Sequence, residues 1–413
     1  MNRISSAAAG KGWNPMSRDG SGADIRAGRP GVLMVGPWPP TVGGVTTFMC
    51  NVTRSALNRT YEFIPFTTSR PGKRNLKRDN YGYGAVLQGG MKRVLQGVLI
   101  TLWHLMLFPG TIVLRRPSIV QVQASDFHAF WEAALYVVMA KMFRRPVLLR
   151  IGGAFDGFYE SSGTRARAAI RWTLRQPTLL IVQSLYWKDY VSRLGRTDDV
   201  IVLNNFVSER LVVERETPRP APVRFLLCCT ERPSSRGAYV LLDALKMLVA
   251  REVHTAVTVM AVPAPLRTEI EARGLAPHVA LLDFLPHEEA LAALRRSDVL
   301  LQISDAEGFP NTLVEAMALG CAAIVTPVGA IPEIVGSDGE CAFIIPVGDA
   351  AALADRMARM ASDPGTVARM ATAAQARVLD RFTEARVTSI LDRAYQQVLR
   401  DRIEQRSRTK RAR

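Results

Sequence analysis

Short apolar runs alternate with stretches of helical pattern along almost the whole chain, and this alternation restricts the fold more than any other feature. Runs of this kind indicate strands of parallel sheets whose two faces are covered by helices. Six runs lie in each half of the chain: 32–36, 62–66, 119–123, 147–151, 179–183 and 200–203, and then 223–229, 256–262, 279–285, 298–304, 322–327 and 342–346. The pattern predicts an α/β fold of two Rossmann-like, doubly wound domains that face a cleft.

A proline-rich stretch, ETPRPAPVR (216–224), separates the two halves and predicts an extended linker. A chain of 413 residues with 48% hydrophobic content can bury two cores. The predicted organisation runs as follows: a disordered leader at 1–30, a first domain at 31–215, a linker at 216–222, a second domain at 223–385, a helix at 386–402 that packs back on the first domain, and a basic tail at 403–413.

The leader contains no apolar core of signal-peptide length, so we do not expect an export signal there. Five scattered cysteines without Cys-x-x-Cys spacing fit a reducing cytoplasm. The net charge of +16 favours anionic partners such as phosphates, nucleic acid or a membrane surface. Basic clusters lie at 70–78 and in the tail, where solvated loops explain them equally well. No interleaving of basic and aromatic residues indicates a nucleic-acid module, so we expect no nucleic-acid partner.

The longest apolar stretch, at 94–114, contains Gln96, His104 and the pair Pro109-Gly110. A bilayer span needs roughly 20 uninterrupted apolar residues. The stretch therefore predicts a buried or interfacial helix that ends near 108 and is followed by a strand, and we expect no transmembrane segment.

Two loops that follow predicted strands could bind an anion. Gly43 and Gly44 precede a predicted helix, where exposed N–H groups suit a diphosphate, although a Gly-Gly turn is commonly only structural. The second loop, EGFPNTLVEAM (307–317), places Glu307 after a strand and Glu315 in the first turns of a helix that Pro310 opens. Both carboxylates then return to the same end of the sheet. The alternative is a capping box between Thr312 and Glu315, with Glu307 solvated.

The stretch EGFPNTLVEAMALGCAAIVTPVGAIPEIVGSDGECAFIIPVGD resembles the donor-binding half of retaining GT-B glycosyltransferases with a Glu-x7-Glu motif. This family includes bacterial mannosyl- and glucosyltransferases of polysaccharide and glycolipid synthesis. The resemblance is strong at 280–350 and looser before 210. It implies sugar transfer from a UDP- or GDP-sugar to a saccharide or lipid-linked acceptor, without a tightly bound cofactor or metal ion.

The resemblance also implies roles for individual residues. Glu307 would contact hydroxyls of the transferred sugar near the reacting carbon, and Glu315 would accept hydrogen bonds from the ribose. Gly43 and Gly44 would let the first domain close over the diphosphate. Backbone groups of Phe309, Pro310 and Asn311 would hold the sugar and the phosphate. The loop that contains Phe284 and Leu285 would frame the base.

The chain departs from the family pattern in two places. In TERPSSRGAYVLLDAL (230–245), Arg236-Gly237 stands where Lys-Gly is usual, and Arg232 lies one position from the expected Arg, which Glu231 replaces. We expect both arginines to reach phosphate, since either can form a forked contact with it.

The second departure is in the first domain, where the family commonly has histidines near the ends of two strands. This chain has Gln121, Gln123 and Ile151 there, so no histidine-dependent step can be assigned. The candidates for acceptor contacts are Asp126, Arg150 and Asp156, although a structural role is commoner for such residues.

Two other functions fit the same motifs. A sugar-nucleotide epimerase would convert the donor alone, and a non-catalytic descendant would bind a nucleotide sugar or a partner protein. For the transferase, the basic loop and the apolar stretch suggest a cytoplasmic protein in peripheral contact with the anionic inner membrane face.

Overall fold

The computed structural model describes residues 28–39, 41, 43–69, 91–125, 127–213, 222–229 and 233–411. Nearly all of the predicted leader and linker, and the basic cluster at 70–78, lie outside the described residues. Within them the chain forms two parallel sheets of six strands each, covered by helices. The predicted GT-B architecture is confirmed.

The first sheet has the strand order β2-β1-β3-β4-β5-β6, in which β1 lies between β2 and β3. Its strands are β1 Gly31–Gly36, β2 Glu62–Thr67, β3 Ile119–Ala124, β4 Val147–Ile151, β5 Leu179–Val182 and β6 Val200–Val202. Val32 pairs with Ile119, and Gln123 with Arg150. Every residue of β3 and β4 is buried because helices cover both faces of the sheet.

The second sheet has the order β12-β11-β10-β7-β8-β9. Its strands are β7 Arg224–Cys228, β8 Ala256–Met260, β9 Val279–Leu282, β10 Val299–Gln302, β11 Ala322–Val325 and β12 Ala342–Ile344. All twelve predicted apolar runs contain a strand. In both sheets the loops at the carboxyl ends of the strands are the usual location for ligands.

Fourteen α-helices lie among the described residues. They are α1 Gly44–Arg54, α2 Met91–Arg115, α3 His128–Met142, α4 Phe155–Glu160, α5 Thr164–Leu174, α6 Leu185–Arg193, α7 Ala238–Ala250, α8 Ala264–Ala272, α9 His287–Arg296, α10 Asn311–Ala318, α11 Ile331–Val335, α12 Ala350–Ser362, α13 Pro364–Arg381 and α14 Glu384–Arg411.

Helix α2 corrects one prediction from the sequence. The segment predicted to break near 108 and continue as a strand is a single helix that runs through Pro109 to Arg115. Phe108 and Ile112, one turn apart, are both buried in the core of the first domain. This packing holds the helix together across the proline, which lacks the N–H for its own helical bond.

The C-terminal helix α14 packs against the first domain. The Tyr395 hydroxyl donates a hydrogen bond to Gln121 Oε1, and the Arg402 guanidinium donates one to the Ser118 carbonyl at 2.7 Å. The helix extends past the predicted end at 402 to Arg411, because Arg, Lys, Gln and Glu in the expected tail are good helix formers.

Candidate functional site

Glu307 lies in the loop that follows β10, and its carboxylate is held from several sides. Glu307 Oε1 accepts hydrogen bonds from Gln302 Nε2 at 2.7 Å and from Ser304 Oγ at 2.9 Å. The same oxygen forms an ion pair with Arg236. The side chain is only 10% exposed. Glu307 is therefore a positioned carboxylate, and the alternative that it is a solvated loop residue is wrong.

The backbone of the same loop is fixed by the segment after β11. Gly329 has φ +55°, and a Cβ atom there would lie 1.9 Å from the Glu307 carbonyl oxygen. Ala330 N donates to the Gly308 carbonyl at 3.2 Å, and Thr326 Oγ1 donates to the Ser304 carbonyl at 2.6 Å. The loop is preorganised, since its carbonyls are already bonded within the protein.

Arg236 reaches Glu307 from the turn before α7. The next residue, Gly237, has φ +75°, and a Cβ there would lie 2.3 Å from the Ile303 carbonyl oxygen. Only glycine allows this close approach, which places the guanidinium at the end of β10. The Arg236 side chain is 27% exposed, so it can also meet a ligand. The second predicted arginine, Arg232, lies outside the described residues.

Glu315 lies in α10, which begins at Asn311 after Pro310. The structure shows no side-chain cap on this helix, so the capping box with Thr312 is wrong. Glu315 Oε1 lies 3.6 Å from His287 Nε2. Burial raises the pKa of the Glu315 carboxyl, and the charge of His287 opposes this shift.

Arg236 and Glu315 flank the end of β7. Burial raises the pKa of the Cys228 thiol to about 11, with Arg236 lowering it and Glu315 raising it. A cation and two carboxylates, counting Glu307, therefore gather where β7 and β10 end.

Three further predicted donor residues have side chains that belong to the fold. The Phe309 ring packs against Phe382 with centroids 5.7 Å apart, and Pro310 is buried. Leu285 packs on the same core, whereas the neighbouring Phe284 is 45% exposed. Because the side chains of Phe309 and Pro310 are buried in the fold, only their backbone groups remain for the ligand contacts that the resemblance implies.

The first domain contacts this motif directly. Trp187 Nε1 donates to the Gly308 carbonyl at 3.0 Å, and a Cβ on Gly308 would lie 2.5 Å from the Gly153 carbonyl oxygen. A Cβ on Gly44, the first residue of α1, would lie 3.2 Å from Asn311 Nδ2, whereas one on Gly43 would meet nothing within 4 Å. Of the predicted glycine pair, Gly44 is the one that approaches the motif.

Arg150 is buried rather than presented to the cleft. Its guanidinium lies 3.7 Å above the Phe48 ring and donates to Asn205 Oδ1. Asn205 Nδ2 in turn donates to Asn311 Oδ1 at 2.5 Å. Burial lowers the pKa of Arg150 to about 9. This residue thus acts through Asn205 on the second domain, and it does not face an acceptor.

The other predicted acceptor residues differ from Arg150. Asp156 accepts a hydrogen bond from the Tyr186 hydroxyl at 3.0 Å. Burial, with Asp156 adding to it, raises the pKa of Tyr186 to about 12. Asp126 lies outside the described residues. Within the described part of the chain, no three His, Cys, Asp or Glu side chains are grouped to hold a metal ion.

Several site residues were not predicted from the sequence. For Gln302 and Ser304 the sequence does contain a signal, because these polar residues interrupt an apolar run at the end of β10. Asn205 and Trp187 gave no local signal, because their partners Asn311 and Gly308 are more than 100 residues away.

Comparison with known proteins shows which family the second half of the chain is similar to. Residues 214–377 match the family model described as glycosyl transferases group 1. The part of the chain that contains Glu307 and Glu315 is therefore similar to glycosyl transferases of group 1. It is 27% identical over 252 residues to the MMP alpha-(1->4)-mannosyltransferase of Mycolicibacterium hassiacum, a match covering 60% of this chain and 58% of the relative. The chain spans little more than half the length of the curated relatives it matches.

Solved structures of this architecture cover more of the chain. Sucrose-phosphate synthase from Thermosynechococcus elongatus has a TM-score of 0.69 and 14% identity, and the match covers 90% of this chain and 100% of that one. Anabaena HepE in complex with UDP has a TM-score of 0.65 and 15% identity, with 89% and 99% covered. At these identities the likeness shows the GT-B fold.

Proposed function

We propose that this protein is a retaining glycosyltransferase. It moves a sugar from a nucleoside-diphosphate sugar to a saccharide or lipid-linked acceptor in the synthesis of a polysaccharide or glycolipid. The observation that carries the proposal is the buried Glu307 carboxylate, fixed by Arg236, Gln302 and Ser304 beside the contact with the first domain.

The reaction breaks the bond between the anomeric carbon and the diphosphate, so negative charge develops on the leaving group. Arg236 and the N–H groups at the start of α10 are oriented before the donor binds, which lowers the barrier without reorganisation. Glu307 would accept hydrogen bonds from sugar hydroxyls near the anomeric carbon, and Glu315 would accept them from the ribose. The acceptor oxygen forms the new bond on the face that the diphosphate leaves, and its proton passes to the departing diphosphate.

UDP is the first nucleotide to test, because HepE, which shares the fold, is described in complex with UDP. GDP is the second, because the family resemblance admits UDP- and GDP-sugars alike. In both hypotheses the diphosphate would be bound by Arg236 and by the N-terminus of α10.

The decisive test is release of nucleoside diphosphate from UDP- and GDP-sugars by the wild type and by Glu307→Ala. We expect turnover to fall by about 10²–10³ while nucleotide binding is retained. Asp305→Ala is the matched control, since Asp305 lies in the same loop and is exposed. An epimerase would convert the donor sugar without release, and a non-catalytic protein would bind without turnover. Either result would contradict the proposal.

We further propose a cytoplasmic protein whose first domain rests on the anionic inner face of a membrane. Gly97–Arg115 of α2 is, by length and composition, apolar enough to cross a membrane, with mean hydropathy 1.8. Phe108 and Ile112 anchor the helix in the core, so it would lie on the surface. Its exposed apolar side chains form the outer face, comprising Leu95, Val98, Leu99, Leu102, Trp103, Met106, Leu107, Val113 and Leu114.

The exposed Arg115 and Arg116 at the end of this helix suit anionic lipid headgroups. Sedimentation with phosphatidylglycerol vesicles tests the placement, with Trp103→Glu as the variant. Leu379→Glu is the control, because Leu379 is exposed to a similar degree on a different domain. We expect binding to be lost only in Trp103→Glu. A wild type that stays in the supernatant at physiological salt would contradict the placement.

A further inference from the structure

A cavity of about 200 Å³ lies in the first domain at the carboxyl ends of β1 and β3. A single water needs only about 10–15 Å³, so the cavity has room for a small organic ligand. Most of the surface of the cavity is apolar, and polar side chains interrupt it. The lining consists of Val35, Pro37, Thr41, Val45, Thr68, Ser69, Gln123, Ser125, His128, Ala129, Glu132, Ala133 and Tyr136.

Gln123 is the unusual member of this lining. Its side chain is 7% exposed, and among the described residues neither its amide nitrogen nor its amide oxygen has a hydrogen-bond partner. Buried polar groups are nearly always bonded, because leaving them unbonded destabilises the fold. A carboxamide in which both ends lack a partner therefore indicates a ligand that supplies an acceptor and a donor.

Its neighbour on the same strand shows what a structural glutamine does in this sheet. Gln121, two residues earlier, accepts the Tyr395 hydroxyl of α14 and so ties that helix to the first domain. Gln123 makes no equivalent contact with a described residue. Gln121 thus has one bonded end, although its Nε2 lacks a partner among the described residues, whereas neither end of the Gln123 amide is bonded.

The chemistry of the lining selects the ligand. Among the described residues that line the cavity there is neither Arg nor Lys, so these residues are poorly suited to a phosphate. The carboxylate of Glu132, which accepts a hydrogen bond from the Tyr136 hydroxyl at 3.0 Å, also lines the cavity. An amide and a carboxylate together can both donate to and accept from neighbouring hydroxyl groups. This combination fits the adjacent hydroxyls of an uncharged sugar ring.

We infer that this cavity binds one uncharged sugar ring of the acceptor, and that Gln123 determines this specificity. The inference rests on the proposed glycosyltransferase function. Val45, in the cavity wall, follows Gly44, which approaches Asn311 of the second domain. A sugar in the cavity would therefore lie beside the place where the two domains meet.

Binding of methyl glycosides of mannose, glucose and galactose, followed by saturation-transfer NMR, tests the inference without knowledge of the acceptor. The main variant is Gln123→Met, which keeps the length of the side chain and removes its polar atoms. Glu132→Gln is the second variant. Gln396→Met, at an exposed position of α14, is the control for the substitution itself.

We expect at least one glycoside to bind the wild type, and its affinity to fall at least tenfold in Gln123→Met. The melting temperature should stay equal or rise, because an unbonded buried amide is removed. If no glycoside binds the wild type, or if Gln123→Met binds as well as wild type, the inference is wrong. A large fall in melting temperature would show that the amide is structural and would also overturn it.

Donor binding separates this inference from the proposed function. UDP or GDP should bind Gln123→Met as it binds the wild type, since the cavity lies apart from Arg236 and Glu315. If neither nucleotide binds any variant while glycoside binding still depends on Gln123, the proposed donor chemistry fails and the sugar site stands.

Discussion

The two domains share one architecture but differ in how they satisfy their buried polar groups. In the described part of the second domain, no buried side-chain nitrogen or oxygen lacks a hydrogen-bond partner. In the first domain, several buried side-chain atoms have no hydrogen-bond partner among the described residues. They include Gln121 Nε2, both ends of the Gln123 amide and Arg150 Nε. In the proposed function, the buried side chains of the donor side are thus bonded before a ligand arrives, whereas the first domain leaves the Gln123 amide for a ligand to meet.

Because of this difference, we expect substitutions in the two domains to have opposite effects on stability. Changes that disturb the preorganised second domain should destabilise it strongly. Removal of unbonded polar groups from the first domain should cost little or stabilise the fold.

The largest expected effect is that of Gly329→Ala. The new Cβ would overlap the Glu307 carbonyl oxygen at 1.9 Å, and φ is +55°. We expect a loss of about 3 kcal/mol or more in the free energy of unfolding, measured by chemical denaturation, together with loss of activity. Gly339→Ala is the control, because φ is +84° but no atom lies within 4 Å. It should lose only about 1–2 kcal/mol. Equal losses in the two variants would show that the Glu307 loop is not rigid.

A smaller effect is expected where the two domains meet. Asn205→Ala removes the acceptor for the buried Arg150 guanidinium and the donor to Asn311. We expect a loss of about 2 kcal/mol, because a buried charge is left with fewer partners. Arg150→Met removes the charge itself and should be nearly neutral. Calorimetric melting of both variants measures this difference. A greater loss of stability in Arg150→Met than in Asn205→Ala would contradict the structural role given to Arg150.

The architecture could be predicted from the sequence, and so could the positions of Glu307 after a strand and Glu315 in a helix. Each apolar run is local, and so is the motif that places Glu307 after a strand and Glu315 in a helix. The contacts of Asn205 and the continuity of α2 could not be predicted, because they depend on packing between distant segments. Local pattern favoured a break at Pro109, but burial of Phe108 and Ile112 outweighs it. For Arg150, sequence alone could not distinguish a buried cation from one that faces a ligand.

The smallest expected effect is a change in pH dependence at Glu315. Its pKa is raised in the folded protein, so its contribution to stability is present below its ordinary pKa of 4.5 and is lost as pH rises through the raised value. Glu315→Gln should therefore melt at a higher temperature than wild type at pH 7.5, and the difference should shrink towards pH 4.5. Glu289→Gln, at an exposed position of α9, should melt like wild type at both pH values. A constant difference would show that burial does not govern Glu315.

We propose that the second domain holds a donor site that does not depend on the cavity of the first domain. The most direct test is a thermal-shift screen with UDP, GDP and ADP on the wild type, Glu315→Ala and Gln123→Met. A nucleotide at about 100 times its dissociation constant stabilises by about 2.7 kcal/mol, which raises the melting temperature by several degrees. We predict that one nucleotide raises it equally in the wild type and Gln123→Met, and not in Glu315→Ala. No shift in the wild type, or a shift abolished by Gln123→Met, would contradict the account.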